Sequence, residues 1–161
     1  MAAVSKDLFR QLVGSFAAGV TIVTTRDANG KPWGFTASSF SSVSLAPPLV
    51  SVCLAHDADC FPAFDAAESM AIHILSPAQR DLAMRFAQKG ADKFEALAVA
   101  QGAHTSAPIL GGVLATIECR MHARHVAGDH TILVGEVLGG ERGDVRPLLY
   151  YGRSFGRFEA E

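Results

Sequence analysis

The sequence predicts a mainly β protein with a few short helices, its six or seven strands joined by hairpins into an antiparallel barrel. Three observations carry this expectation. Strand-length runs of apolar and β-branched residues recur at Val20–Arg26, Leu49–Ala55, Met70–Leu75, Val113–Val126 and His130–Leu138. Turns too short for a crossover follow two of them, at Asp27–Gly30 and Ala127–Asp129. Helical spacing is confined to short segments between the strands.

From the N-terminus, Ser5 to Ala17 sets Leu8, Phe9, Leu12, Val13 and Phe16 on one apolar helical face, with Ser5 or Asp7 able to cap the start. Such a face packs on a sheet or on a partner subunit. Gly19 breaks the pattern, and Val20–Arg26 (VTIVTTR) then alternates as a strand. The Asn29-Gly30 turn sends the next strand back antiparallel.

That strand runs into Trp33–Pro48 (WGFTASSFSSVSLAPP), where six of sixteen residues carry hydroxyls: Thr36, Ser38, Ser39, Ser41, Ser42 and Ser44. Small side chains let a ligand approach the backbone, and hydroxyls and free N–H groups can serve carbonyls or a phosphate. The composition equally suits a serine-rich surface loop. Placement between two strands, which could hold the stretch rigid, favours a ligand cradle.

Pro47-Pro48 sets an extended entry to the buried strand Leu49–Ala55, and Pro62–Glu68 reads as a short helix with proline in its first turn. After the Met70–Leu75 strand, Ser76-Pro77-Ala78-Gln79 is a capping box opening a helix to about Gln88. Gly90–His104 is less regular, and Gly102, Pro108, Gly111 and Gly112 mark loops. Val113–Val126 is one long strand with Ile117, Cys119, Met121 and Ala123 on one side. His130–Leu138 pairs back, Gly139–Arg146 is a polar loop, and Pro147–Tyr151 a last short strand. Without repeats or a linker, residues 1–161 are expected to form a single domain.

Composition excludes several functions. Apolar residues make up 49% and charged residues 19%, as in a globular chain. A net charge of −2, a pI near 6.3 and no Lys/Arg cluster argue against nucleic-acid and membrane partners. Cys53, Cys60 and Cys119 are widely spaced and odd in number, which supports neither a zinc ribbon nor a disulfide framework. With no signal-peptide order in the first ten residues and no transmembrane-length apolar run, a cytoplasmic protein is expected.

Short matches to catalytic motifs lack their context. Gly152-Arg153-Ser154-Phe155-Gly156 fits G-x-S-x-G, but a nucleophile elbow needs a following helix and a later histidine, and neither is present. His56-Asp57-Ala58-Asp59-Cys60 has no standard zinc spacing, and His122 and His125 fall on opposite faces of a strand. No G-x-G-x-x-G follows the first strand. His130, in G-D-H at a hairpin tip, is either an ordinary turn histidine or a functional one.

Several stretches, in order, resemble one family. They are GVTIVTT (Gly19–Thr25), GFTASSFSSVSLAPPLV (Gly34–Val50), the Leu75–Ala87 helix with its RFA, DKF (Asp92–Phe94), GDH (Gly128–His130) and the terminal LLYYGRSF. Over Phe9–Phe158 the chain resembles the short-chain flavin reductases, the reductase components of two-component flavin-dependent monooxygenases. The resemblance implies an antiparallel split β-barrel, usually a homodimer, that binds FMN (alternatively FAD) near the subunit interface and uses NADH or NADPH as co-substrate. Thr36, Ala37, Ser38, Ser39 and Ser42 would cradle the flavin, with Cys53 and Leu54 lining the same site. Phe86, Lys93 and Phe94 would lie near its phosphate or adenine side, and His130, Tyr151 and Phe155 would hold the nicotinamide.

No acid, base, nucleophile or metal is required, because hydride passes between the two cofactors. Reduced flavin would then reach a partner monooxygenase by diffusion. The alternative on the same barrel is a non-catalytic flavin carrier or sensor. One departure stands out: where family members commonly carry serines and threonines, this chain has Asp57 and Asp59, which would repel a phosphate they faced.

Overall fold

The computed structural model describes residues 3–161. Ser5 caps helix α1 (Lys6–Gly14), its Oγ accepting from the Leu8 amide at 3.2 Å. A short strand β1 (Ala18–Gly19) precedes the hairpin of β2 (Thr21–Arg26) and β3 (Pro32–Ala37). Asp27 Oδ1 holds the turn by accepting from the amides of Asn29 (2.9 Å) and Lys31 (3.0 Å), and Gly30 takes φ +79°.

The serine-rich stretch is not one loop. Its second half, Ser41–Leu45, is edge strand β4, paired with β5 (Pro48–Ala55). Helix α2 (Phe61–Ala66) leads to β6 (Ser69–Ile74). The Ser76 capping box forms, but Pro77–Gln79 is a 3-10 turn before helix α3 (Arg80–Ala87). Two strands fall in regions expected to be irregular, β7 (Val99–Gln101) and β8 (Pro108–Leu110), paired with each other.

The long hairpin of β9 (Ala115–Ala127) and β10 (His130–Arg142) follows. Its second strand takes in Gly139–Arg142, which the sequence reads as loop, because Glu141 and Arg142 pair with Thr116 and Ala115 far back in the chain. The chain ends in β11 (Leu148–Tyr151) and β12 (Ser154–Arg157), which form a three-stranded sheet with β1.

Seven strands make the main antiparallel sheet, in the order β3-β2-β6-β9-β10-β5-β4. Val23, Phe35, Val52, Ile72, Cys119 and Leu133, from six of those strands, meet in one core around Phe64 of α2. Phe35 and Phe64 pack edge to face at 5.0 Å. Strands near opposite ends of the order thus share one interior, which requires a strongly curled sheet. A second core, with Ile22, Leu75, Ala83, Phe86 and Leu110, packs α3 on the other face of β2 and β3. Gly34 permits this: a Cβ there would stand 2.7 Å from the Phe86 ring.

Two buried polar side chains tie these layers. His73 is fully buried, accepting from the Leu110 amide at Nε2 (3.2 Å), so its Nδ1 carries the proton and donates to Ile22 O (3.0 Å). Burial pushes its pKa down to about 4, despite the Ile22 bond and the Glu118 charge. Glu118, also buried, accepts from the amides of Ala103 (3.1 Å), His104 (3.0 Å) and Thr105 (2.8 Å) and from the Thr105 hydroxyl (2.8 Å). Desolvation works against this carboxylate, but the Thr105 hydroxyl and those amides together hold its pKa below the ordinary value.

Helix α1 buries none of its residues: Leu12 is 61% exposed, and Leu8, Phe9 and Val13 are also exposed, as is Phe16 just beyond the helix. The Gly152 amide bonds Gly14 O at 3.0 Å, tying the end of α1 to the β11–β12 hairpin. No helix among the described residues is long and apolar enough to cross a membrane.

Candidate functional site

Between α3, the end of β3 and the β11–β12 hairpin lies a cavity of about 470 Å³. Three residues expected at the site from the sequence line it: Thr36, Ser38 and Phe155. The Thr36 hydroxyl donates to Ala83 O at 2.6 Å, which straps β3 to α3 and leaves its oxygen able to accept. Ser38 is exposed. Phe155 pairs across the hairpin with Tyr150, their rings 5.3 Å apart, and Arg80 stacks over Phe155 at 5.5 Å. Arg153 completes the wall from the two-residue turn that joins the strands.

The other expected site residues lie elsewhere. Ser39 is next to Ser38, but its hydroxyl accepts from the Cys53 amide at 2.9 Å, pinning the turn into β4 against β5. Cys53, Ala55, Ile132 and His130 share the outer face of β5 and β10, because the alternate residues Val52, Leu54 and Leu133 point into the core. His130 contacts Asp129 Oδ1 at 2.6 Å, and that bond holds the Asp129 carboxyl below its ordinary range. Ser42 is exposed on edge strand β4.

Ala37, Leu54 and Phe86 are buried core side chains, so any contact they make with a ligand runs through backbone. Lys93 and Phe94 line a separate cavity of about 390 Å³ with Trp33, Gly34 and Asp59. There Lys93 Nζ donates to Gly34 O at 3.2 Å. Tyr150 lines the first cavity, whereas Tyr151, on the opposite face of β11, is 59% exposed outside it.

The acidic segment has its own partners. Asp57 pairs with Lys89 at 2.7 Å, and Asp59 accepts from the Gly90 amide at 2.6 Å. Both aspartates therefore fasten the loop after α3, and the Lys89 bond holds Asp57 below its ordinary range. Ser154 opens a strand in a β-hairpin, not a helix, so G-x-S-x-G has no elbow geometry here. Among the described residues, no three His, Cys, Asp or Glu side chains form a metal-binding group. Burial pushes the Cys60 and Cys119 thiols up to about 11 and about 12.

Sequence reasoning missed Arg80, Met84, Tyr150 and Arg153 on the cavity wall. A hairpin reading of the C-terminal segment would have found Tyr150, since a two-residue turn at Gly152-Arg153 sets Tyr150 opposite Phe155. The donor set suits an aromatic, anionic ligand: two rings, two guanidiniums and serine and threonine hydroxyls around a cavity of ligand-binding size.

Comparison with known proteins gives the family. Residues 13–159 match the family described as "Flavin reductase like domain". The actinorhodin polyketide dimerase of Streptomyces coelicolor is 48% identical over 138 residues, covering 84% of this chain and 76% of that protein. FMN reductase (NADH) SmoA of Agrobacterium fabrum is 44% identical over 155 residues, covering 95% and 86%. Among solved structures, the Streptomyces globisporus NADH:FAD oxidoreductase SgcE6, in complex with NAD and FAD fragments, superposes with a TM-score of 0.90 at 35% identity. That alignment covers 99% of this chain and 98% of the other. A curled antiparallel sheet and similarity along nearly its whole length lead to one conclusion: the chain belongs to the family of flavin-reductase-like domains.

Proposed function

We propose that the protein is an NAD(P)H:flavin oxidoreductase that reduces FMN, or alternatively FAD, and supplies the reduced flavin to a separate monooxygenase. The observation that carries this reading is the cavity at Thr36, Ser38 and Phe155, which brings the serine-rich stretch and the C-terminal hairpin to one place. When bound, the flavin supplies the hydride acceptor and the nicotinamide the donor. The chain's own task is to bind and orient. Thr36 through Ser39 and Ser42, with Cys53 and the backbone of Ala37 and Leu54, cradle the flavin. Lys93 and Phe94, backed by Phe86, serve its phosphate or adenine side. Phe155 holds the nicotinamide from within the cavity, and the resemblance assigns His130 and Tyr151, which lie outside it, to the same task.

The test is NADH and NADPH oxidation followed at 340 nm under air with FMN, FAD and riboflavin side by side. Turnover with at least one flavin is expected. Flavin binding without any oxidation would instead indicate a carrier or sensor. Ser38, whose side chain makes no hydrogen bond among the described residues, offers a cleaner probe than Ser39. Ser38→Leu should fill the cavity and weaken FMN binding by roughly tenfold or more, with an unchanged melting temperature. Undiminished affinity would remove the cavity from the flavin site.

The assignment extends to a single domain folded as a split barrel, working in the cytoplasm as a homodimer. Helix α1 supports the last point, since Leu8, Phe9, Leu12 and Val13, and Phe16 beyond it, form an apolar stripe that the described residues leave uncovered. Light scattering should give about twice the 17.0 kDa chain mass, and Leu12→Glu should shift it toward one chain. A monomer in the unmodified protein would refute the dimer.

A further inference from the structure

We propose that Arg153 and Arg80 form a clamp, beside Phe155, for a phosphate ester carried by the flavin or by the pyridine dinucleotide. This rests on the reductase reading above and adds to it the group that grips the ligand's charge.

Both guanidiniums line the cavity of about 470 Å³, and among the described residues neither belongs to an ion pair. No carboxylate lines that cavity. Uncompensated positive charge on a concave wall concentrates anions, and the guanidinium fork matches phosphate oxygens two at a time. The cavity at Lys93 differs: Lys31 and Lys93 share it with Asp59 and Asp92, so its charges balance. Of the two cavities, the one beside Phe155 thus has the net positive wall.

The backbone supplies an independent observation. Gly152 and Arg153 are the two turn residues between β11 and β12, with φ of +54° and +66°. Turns with two left-handed residues favour Asn-Gly or Gly-Gly, and a long side chain at the second position is strained. The chain holds an arginine where glycine would fit without strain, and that arginine lines the cavity. Backbone strain of this kind clusters at active sites and ligand clamps. Arg80 is pre-positioned differently, by stacking over Phe155 at 5.5 Å.

The decisive variant is Arg153→Gly, which removes the cation and relieves the backbone. Its melting temperature should hold or rise, which separates loss of grip from loss of fold. Binding is read without turnover, using flavin fluorescence for FMN and riboflavin and calorimetry for ADP-ribose. If the clamp takes the flavin phosphate, the preference for FMN over riboflavin shrinks by roughly tenfold in Arg153→Gly and in Arg80→Gln. If it takes the dinucleotide phosphates, that preference survives and ADP-ribose binding falls by a similar factor. Equal effects on riboflavin, FMN and ADP-ribose, or none on any, would overturn the proposal. NADH oxidation with riboflavin could persist through such a failure, so the two readings fail separately.

Discussion

Replacing His73 with leucine is expected to destabilise the fold by about 1–3 kcal/mol in urea unfolding at pH 7. Each buried group left without a partner costs about 1–3 kcal/mol, and the substitution strands the Leu110 amide and takes the imidazole donor from Ile22 O. The leucine side chain offsets part of that loss. The sharper test is pH. His73 has a folded pKa of about 4 against an ordinary 6.5, so the unfolded chain takes up the proton first. Its contribution is fully present above 6.5 and is lost as pH falls toward 4, at about 1.4 kcal/mol per unit. Summed over that window, the loss is about 3 kcal/mol. The leucine variant lacks this titration, so its stability should fall less steeply over the same range. Equal slopes in the two proteins would rule out His73 as the source of acid lability.

The second large effect is expected at Glu118. Glu118→Gln keeps the shape but turns an amide donor toward a shell made wholly of donors, the Ala103, His104 and Thr105 amides and the Thr105 hydroxyl. Displacing even one or two of them without replacement should cost about 2–4 kcal/mol. Amide exchange offers the matching local readout, since Ala103 to Thr105 should lose protection before the rest of the sheet. Protection unchanged at those amides would show that the knot is not what orders the loop. The carboxylate's pKa is lowered on folding, so its stabilisation is present above the ordinary 4.5 and is lost as pH falls through the folded value. His73 and Glu118 thus fail in successive acid windows, the histidine first.

Much of the scaffold was legible in the sequence because it depends on local rules. Asn29-Gly30 demanded a hairpin, Ser5 a helix start, and Ser76 with Gln79 a capping box, and each formed. What escaped depended on partners distant in the chain. Ser41–Leu45 reads as loop by its hydroxyls and becomes a strand because β5 offers it an edge. The site divided in the same way. Motif resemblance pointed to Thr36, Ser38 and Phe155, whereas Arg80 and Tyr150 emerged only once α3 and the C-terminal hairpin were seen to face one cavity. Phe86 carries the opposite lesson: a residue within a recognisable motif is fully buried, and its work is to seat α3 on Gly34.

One hydrogen bond gives these parts a mechanical connection. The Gly152 amide that holds Gly14 O belongs to the same turn as Arg153. The last residue of helix α1 is therefore fastened to the turn that carries a cavity arginine. Fraying α1 by truncation or by a bulky fusion before Lys6 would slacken that turn. Whatever holds the helix also tensions the cavity wall.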